Sequence, residues 1–79
     1  MEEAAIYDKL TTVFHEVFGE PDLVLRPDLI AEEVDGWDSL THVRLVLAVS
    51  KAFGVRFSAA EVGDLKNVGE FVALIRTKA

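Results

Sequence analysis

Gly36-Trp37-Asp38-Ser39-Leu40 joins a polar connecting segment to the most apolar helix-like run of the 79-residue sequence, Leu40 to Phe53. That run holds no Gly or Pro and stays mostly aliphatic over about four turns, so it reads as helix and not as strand. Asp38 and Ser39 stand just ahead of it, where a side-chain oxygen can accept from the amides that a first turn leaves without partners. Ser39 is therefore predicted at the helix N-terminus or one residue inside it. Such a terminus carries partial positive charge and free donors, so a phosphate attached to a serine there is stabilised rather than repelled.

At about 100° per residue the run divides into two apolar stripes. Leu45, Val46, Val49 and Phe53 form one, with no charge among them, and it is predicted to enter the core. Leu40, Val43 and Leu47 form the other, with Arg44 and Lys51 between and beside them. This second stripe starts next to Ser39 and is predicted to face solvent at least in part. Exposed aliphatics rimmed by charge mark a docking surface, so Trp37, Leu40, Val43, Arg44 and Leu47 are the candidate partner-binding residues.

Upstream, Ile6, Leu10, Val13, Phe14, Val17 and Phe18 recur as one helical stripe, predicting a helix from about Glu3 to Phe18 that Gly19 and Pro21 stop. His15 lies beside the stripe as a boundary or surface residue. The connection from Gly19 to Trp37 is broken by Pro21, Pro27 and Gly36, yet it is too apolar for a free linker. It is expected to fold back on the helices through Leu25 and Leu29, with one short turn near Leu29 to Glu33.

Downstream, Gly54 caps the central helix and Val55-Arg56-Phe57 is a short extended stretch. Ser58 and Glu61 have capping-box spacing, opening a helix that Gly63 keeps short, and Val62 and Leu65 are expected to point to the core. Asn67 and Glu70 repeat the spacing and open a last helix through about Thr77, with Val68, Phe71, Val72 and Ile75 as its inner stripe. The fold class is all-α. Three principal helices and one short one, with a long structured loop between the first and second, make a single domain over residues 1–79.

Composition bounds the function. The formal charge is −6 with a pI near 4.7, which disfavours nucleic acid and anionic membranes and favours basic partner surfaces. No cysteine is present, which excludes disulfides and thiolate metal sites. No apolar run approaches membrane-spanning length and no leader pattern opens the chain, so a monomeric cytoplasmic protein without stable membrane insertion is expected. Glu32, Glu33, Asp35 and Asp38 precede the serine, but an EF-hand frame with Gly36 at its sixth position puts Ala31 first and His42 twelfth, where acids are required. Ser39 and His42 could be neighbours on one helix. Catalysis would also need an orienting partner and an oxyanion site, for which the chain is short.

In its Asp38-Ser39-Leu40 tripeptide, set behind Gly36-Trp37 and ahead of an aliphatic helix at mid-chain, the sequence resembles the acyl carrier protein family of phosphopantetheine-binding domains. The resemblance runs from the first amphipathic segment to the last. It implies a non-catalytic carrier whose serine, here Ser39, bears 4'-phosphopantetheine from coenzyme A, with Asp38 and Leu40 as motif neighbours. It implies that acyl groups are held as thioesters on the arm's thiol. The partners it implies are a phosphopantetheinyl transferase and acyl-loading, acyl-transferring or condensing enzymes.

The sequence departs from familiar fatty-acid carriers along the second helix. Those carry acids after the motif serine, whereas Thr41, Arg44, Ser50 and Lys51 stand here, and no acid lies between Leu40 and Phe53. A carrier of a specialised fatty-acid or polyketide-type pathway is expected from that reversal. An aminoacyl or peptidyl carrier, or an unmodified helical interaction module using the Leu40 stripe, are the alternatives.

Overall fold

In the computed structural model, which describes all 79 residues, helices begin and end where local chemistry calls for it. α1 spans Glu3–Phe18, α2 Ser39–Phe53, α3 Ala59–Gly63 and α4 Val68–Lys78, with one 3-10 turn at Ala31–Glu33. α1 and α2 each stop at a glycine in the left-handed region, Gly19 and Gly54, both at φ 65°. Glycine enters that region without steric cost, and its N–H closes the last turn on a carbonyl four residues back.

Three side chains start the other ends. The Asp38 carboxylate accepts from the Thr41 N–H at 2.8 Å, the Ser58 hydroxyl from Glu61 at 3.1 Å, and the Asn67 amide oxygen from Glu70 at 2.8 Å. The Ser58 and Glu61 pair is reciprocal, since Glu61 accepts from the Ser58 N–H in return. At α4 the reciprocal half is displaced: Glu70 accepts from Lys66 instead of Asn67. α4 also runs one residue beyond the predicted end, to Lys78.

α1 lies across both α2 and α4. Ile6, Leu10, Val13 and Phe14 meet Leu45 and Val49 from α2 and Val68, Phe71, Val72 and Ile75 from α4, all buried. The connection folds back as expected: Leu29 is 2% exposed and Leu25 packs against the core's edge. Val34 joins it in the interior, an anchor that composition did not single out. Each such side chain contributes roughly 1.5–3 kcal/mol on burial, and so short a chain has few of them to offset its conformational entropy.

Two core expectations need correction. Val46 is only half-buried and stays outside the core, while Ala48 and Ala52 pack against it. Val46 lies about 100° round the helix from Leu45, whereas Ala48 and Ala52 fall within about 60°, so α2 turns its small residues toward α1. Val62 is likewise half-buried outside the core, which Leu65 reaches from just beyond α3. α3 is little more than one turn, with no buried residue, and it rests on the rim.

Candidate functional site

The site is built where the connection enters α2. Gly36, at φ 87°, reverses the chain, and Trp37 follows with its N–H donating to the Val34 carbonyl at 3.2 Å. The indole is held from the inside. Its centroid is 5.3 Å from Phe14, edge to face, and 5.8 Å from Phe18. Its Nε1–H donates to His42 Nδ1 at 3.1 Å.

That bond determines the histidine's state. With Nδ1 accepting, the remaining proton of the neutral ring is on Nε2, which donates to the Val62 carbonyl at 3.1 Å. The two rings lie 18° from coplanar with centroids 6.1 Å apart, the arrangement of an in-plane N–H···N bond and not of face-to-face stacking. Both nitrogens are committed. His42 therefore has no free lone pair to act as a base toward Ser39, and a nucleophilic Ser–His pair does not form.

Asp38 is the N-cap of α2, and Ser39 is the first helical residue, exposed to solvent. The Thr41 amide holds the Asp38 carboxyl below its ordinary pKa, chiefly through the capping bond. The Asp38 carbonyl takes the His42 N–H at 2.8 Å. Those two bonds use the amides of Thr41 and His42. The Ser39 N–H has no acceptor in the protein, and the Ser39 hydroxyl is likewise unengaged.

An exposed hydroxyl, an uncommitted amide beside it and the positive end of a 15-residue helix are what a serine-linked phosphodiester requires. A depression of about 410 Å³ adjoins the serine, walled by Trp37, His42, Val62 and Leu65. These residues fit a phosphodiester-linked group: the Ser39 hydroxyl would be free to carry it, and the α2 terminus would face its phosphate.

The second stripe of α2 continues from the serine along the surface. Leu40 is 75% exposed, Val43 56% and Leu47 65%, the three largest exposures of leucine or valine on any helix. Arg44 and Lys51 are exposed with them, and no acidic side chain stands on α2. Of the five candidate partner-binding residues, Leu40, Val43, Arg44 and Leu47 share this outer face. Trp37 stands apart, half-buried against Phe14 and Phe18, where it sets the approach of the chain to Asp38.

Of the acids upstream of the serine, Asp38 caps α2 beside it, and Glu33 is engaged elsewhere. Glu33 turns back to pair with Arg26 and to accept from the Ile30 N–H at 3.2 Å, which ties the 3-10 turn to the connection. Sequence reading did not anticipate the bridge from Trp37 through His42 to Val62. Its signal was a tryptophan just before a helix and a histidine one turn inside it, but the third member is a backbone carbonyl that carries no sequence mark.

The model of the family described as "Phosphopantetheine attachment site" matches residues 8–75 of the chain. The chain is 36% identical over 66 residues to an acyl carrier protein of Acidothermus cellulolyticus, covering 84% of this chain and 79% of that protein. Its fold matches the solution NMR structure of a holo acyl carrier protein from Geobacter metallireducens with a TM-score of 0.87 at 34% identity. That match covers 92% of this chain and 84% of the other.

Proposed function

The chain belongs to the acyl carrier protein family of phosphopantetheine-binding domains, and on that premise we propose that it serves a specialised fatty-acid or polyketide-type pathway through enzymes adapted to its second helix. As a member of that family it is a non-catalytic carrier with a 4'-phosphopantetheine prosthetic group. In this reading Ser39 is the attachment residue, Asp38 orders the helix start that presents it, and Leu40 opens the docking face. The group, when attached, supplies a terminal thiol on a flexible arm to which acyl groups are joined as thioesters.

The chain's own residues do the rest. The uncommitted Ser39 N–H and the helix end favour the phosphodiester's negative charge, and α2's rigid start fixes where the arm is rooted. Leu40, Val43 and Leu47 give a partner a small apolar foothold beside that root. A short patch with few strong anchors favours brief contacts, which a carrier visiting successive enzymes requires.

The observation that carries the proposal is the charge of α2. The molecule is net −6, yet this helix bears Arg44 and Lys51 and no acid, so the outer face is a positive island on an acidic protein. A partner presenting basic residues beside the serine is repelled by Arg44, and one presenting carboxylates is attracted. The whole domain, residues 1–79, is taken to act as a monomer with a phosphopantetheinyl transferase and acyl-handling enzymes as its partners.

Two measurements test this. Intact mass after incubation with coenzyme A, magnesium and a broad phosphopantetheinyl transferase should rise by one phosphopantetheine, at Ser39. An unchanged mass rejects the attachment reading. Acylation of the holo-protein by generic fatty-acid enzymes should be slow, and Arg44→Glu should raise it. Equal rates with generic and dedicated enzymes, or no response to Arg44→Glu, would reject the specialised-pathway reading.

A further inference from the structure

We propose that His42 is a positioning residue for Ser39: with Trp37 it forms a hydrogen-bonded staple across the start of α2 that fixes the direction in which the serine hydroxyl meets the modifying enzyme. The inference rests on the reading of Ser39 as the attachment residue and adds to it the pair that aims the hydroxyl.

The two residues hold defined places in the helix start. Asp38 is the N-cap of α2, so Trp37 is the residue before the cap and His42 is the fourth residue of the helix. Side chains at those two positions meet across the first turn, and an apolar pair there fixes the angle at which a chain enters its helix. Here the pair is hydrogen-bonded, Trp37 Nε1–H donating to His42 Nδ1 at 3.1 Å. It is the one side-chain-to-side-chain hydrogen bond of the molecule outside its ion pairs. At α4 the same positions hold Lys66 and Phe71, which cannot form such a bond.

Both ends of the staple are anchored. Trp37 packs on Phe14 and Phe18 of α1, with centroids 5.3 Å and 5.8 Å away, and His42 Nε2–H donates to the Val62 carbonyl of α3 at 3.1 Å. The incoming chain and the helix are thereby tied to each other and to two further helices.

Ser39 has little else to direct it. Its hydroxyl and its N–H have no partner in the chain, so the hydroxyl points where the backbone at Asp38 and Ser39 aims it. That backbone arrives from Gly36 at φ 87° through an extended Asp38 at φ −110° and ψ −174°. The bond from the Thr41 N–H to Asp38 closes the first turn but does not join it to another element. The staple does.

In the transfer, the Ser39 oxygen bonds to the phosphorus that bears pantetheine and the diphosphate linkage of coenzyme A breaks. Adenosine bisphosphate leaves, and the serine proton passes to the transferase or to solvent. Both His42 nitrogens are committed, so His42 takes no proton in this step and acts through geometry alone. Misplacing a reacting group by about 1 Å can cost about a hundredfold in rate, so a loosened helix entry is expected to cost about tenfold.

The test is modification of the full chain by a phosphopantetheinyl transferase with coenzyme A and magnesium, followed by intact mass under single-turnover conditions at several transferase concentrations. These separate the transfer rate from half-saturation. His42→Leu keeps an apolar pair at the staple positions and removes both hydrogen bonds. It should lower the transfer rate about tenfold and leave half-saturation within about twofold, because the outer face of α2 is untouched. His42→Gln keeps one acceptor and one donor, and should restore most of the rate. Trp37→Phe keeps an aromatic ring against Phe14 but has no N–H, and should behave as His42→Leu does. In the unmodified variants that lose the bond, NMR order parameters at Asp38 and Ser39 should drop below the rigid value of about 0.85.

An unchanged transfer rate in His42→Leu and Trp37→Phe, measured where both are folded, overturns the proposal, even if their melting temperatures fall. So does a loss that His42→Gln fails to relieve, or a loss confined to half-saturation, which would make His42 a docking contact. Failure of the Ser39 reading looks different: the mass of the unaltered chain itself would not rise, and both readings would fall together.

Discussion

α2 and α4 begin alike and are put to opposite uses. Each has an N-cap side chain accepting from the third residue of the helix at 2.8 Å, Asp38 from Thr41 and Asn67 from Glu70. At α4 the first-turn amides are all claimed: Val68 donates to the Leu29 carbonyl and Gly69 to the Pro27 carbonyl, both at 2.9 Å, and Phe71 to Asn67 at 3.3 Å. At α2 the amide of the first residue is left unclaimed, and that residue is an exposed serine where α4 has a fully buried valine. One terminus locks the long connection onto the bundle. The other faces outward with its first amide unclaimed.

The strongest way to break this comparison is to remove the hydroxyl. Ser39→Ala should abolish transfer of the prosthetic group by a competent transferase while leaving the melting temperature nearly unchanged, since the side chain is exposed and makes no hydrogen bond. Intact mass and a thermal melt check both halves. Persistent modification in that variant would move the attachment elsewhere.

Moving the serine to the other terminus should fail. Val68→Ser should cost about 2 kcal/mol or more, because it trades buried methyls for a hydroxyl in a dry site. Combined with Ser39→Ala it should remain unmodified, because its hydroxyl would be buried and its helix end is already occupied. Urea unfolding and mass spectrometry report the two effects.

A smaller change loosens the lock. A Cβ on Gly69 would lie 3.0 Å from the Pro27 carbonyl oxygen that the Gly69 amide binds, and 3.2 Å from the Pro27 ring. Gly69→Ala should therefore destabilise by about 1 kcal/mol net, the loss of close approach outweighing alanine's better helix propensity. Amide exchange should quicken at Leu29, whose neighbourhood loses its anchor, and not at Thr41.

The smallest effect separates the caps by pH. Folding holds the Asp38 carboxyl below its unfolded pKa, so its contribution is present above the ordinary carboxylate range and is lost as pH falls through the depressed value. Asn67 does not titrate. In acid the Thr41 amide should lose protection before the Glu70 amide does, and Asp38→Asn should remove that difference because asparagine caps equally well.

Much of this was legible in the chain itself. α1 falls on Glu3–Phe18 as its stripe predicts, and the glycine stops and the Asp38, Ser58 and Asn67 caps are where their residue types prefer to be. Helices declare themselves because periodicity and capping are local, set by residues within about one turn of each other. The outward face of α2 could be read for the same reason. Leu40, Val43 and Leu47 cannot share a side with Leu45 and Val49 on any regular helix.

What the sequence alone determined, then, was the order of the helices, their inner and outer faces, and a serine at the mouth of the one most apolar among them. Tertiary structure decided which terminus is spent and which is spare. It also turned Trp37 inward, drew Ala48 in place of Val46 toward α1, and set the Val62 carbonyl within reach of His42. Those outcomes rest on backbone carbonyls and on the angle at which helices cross. Every residue has the same carbonyl, and a crossing angle belongs to no single segment, so neither leaves a mark that can be read along one chain.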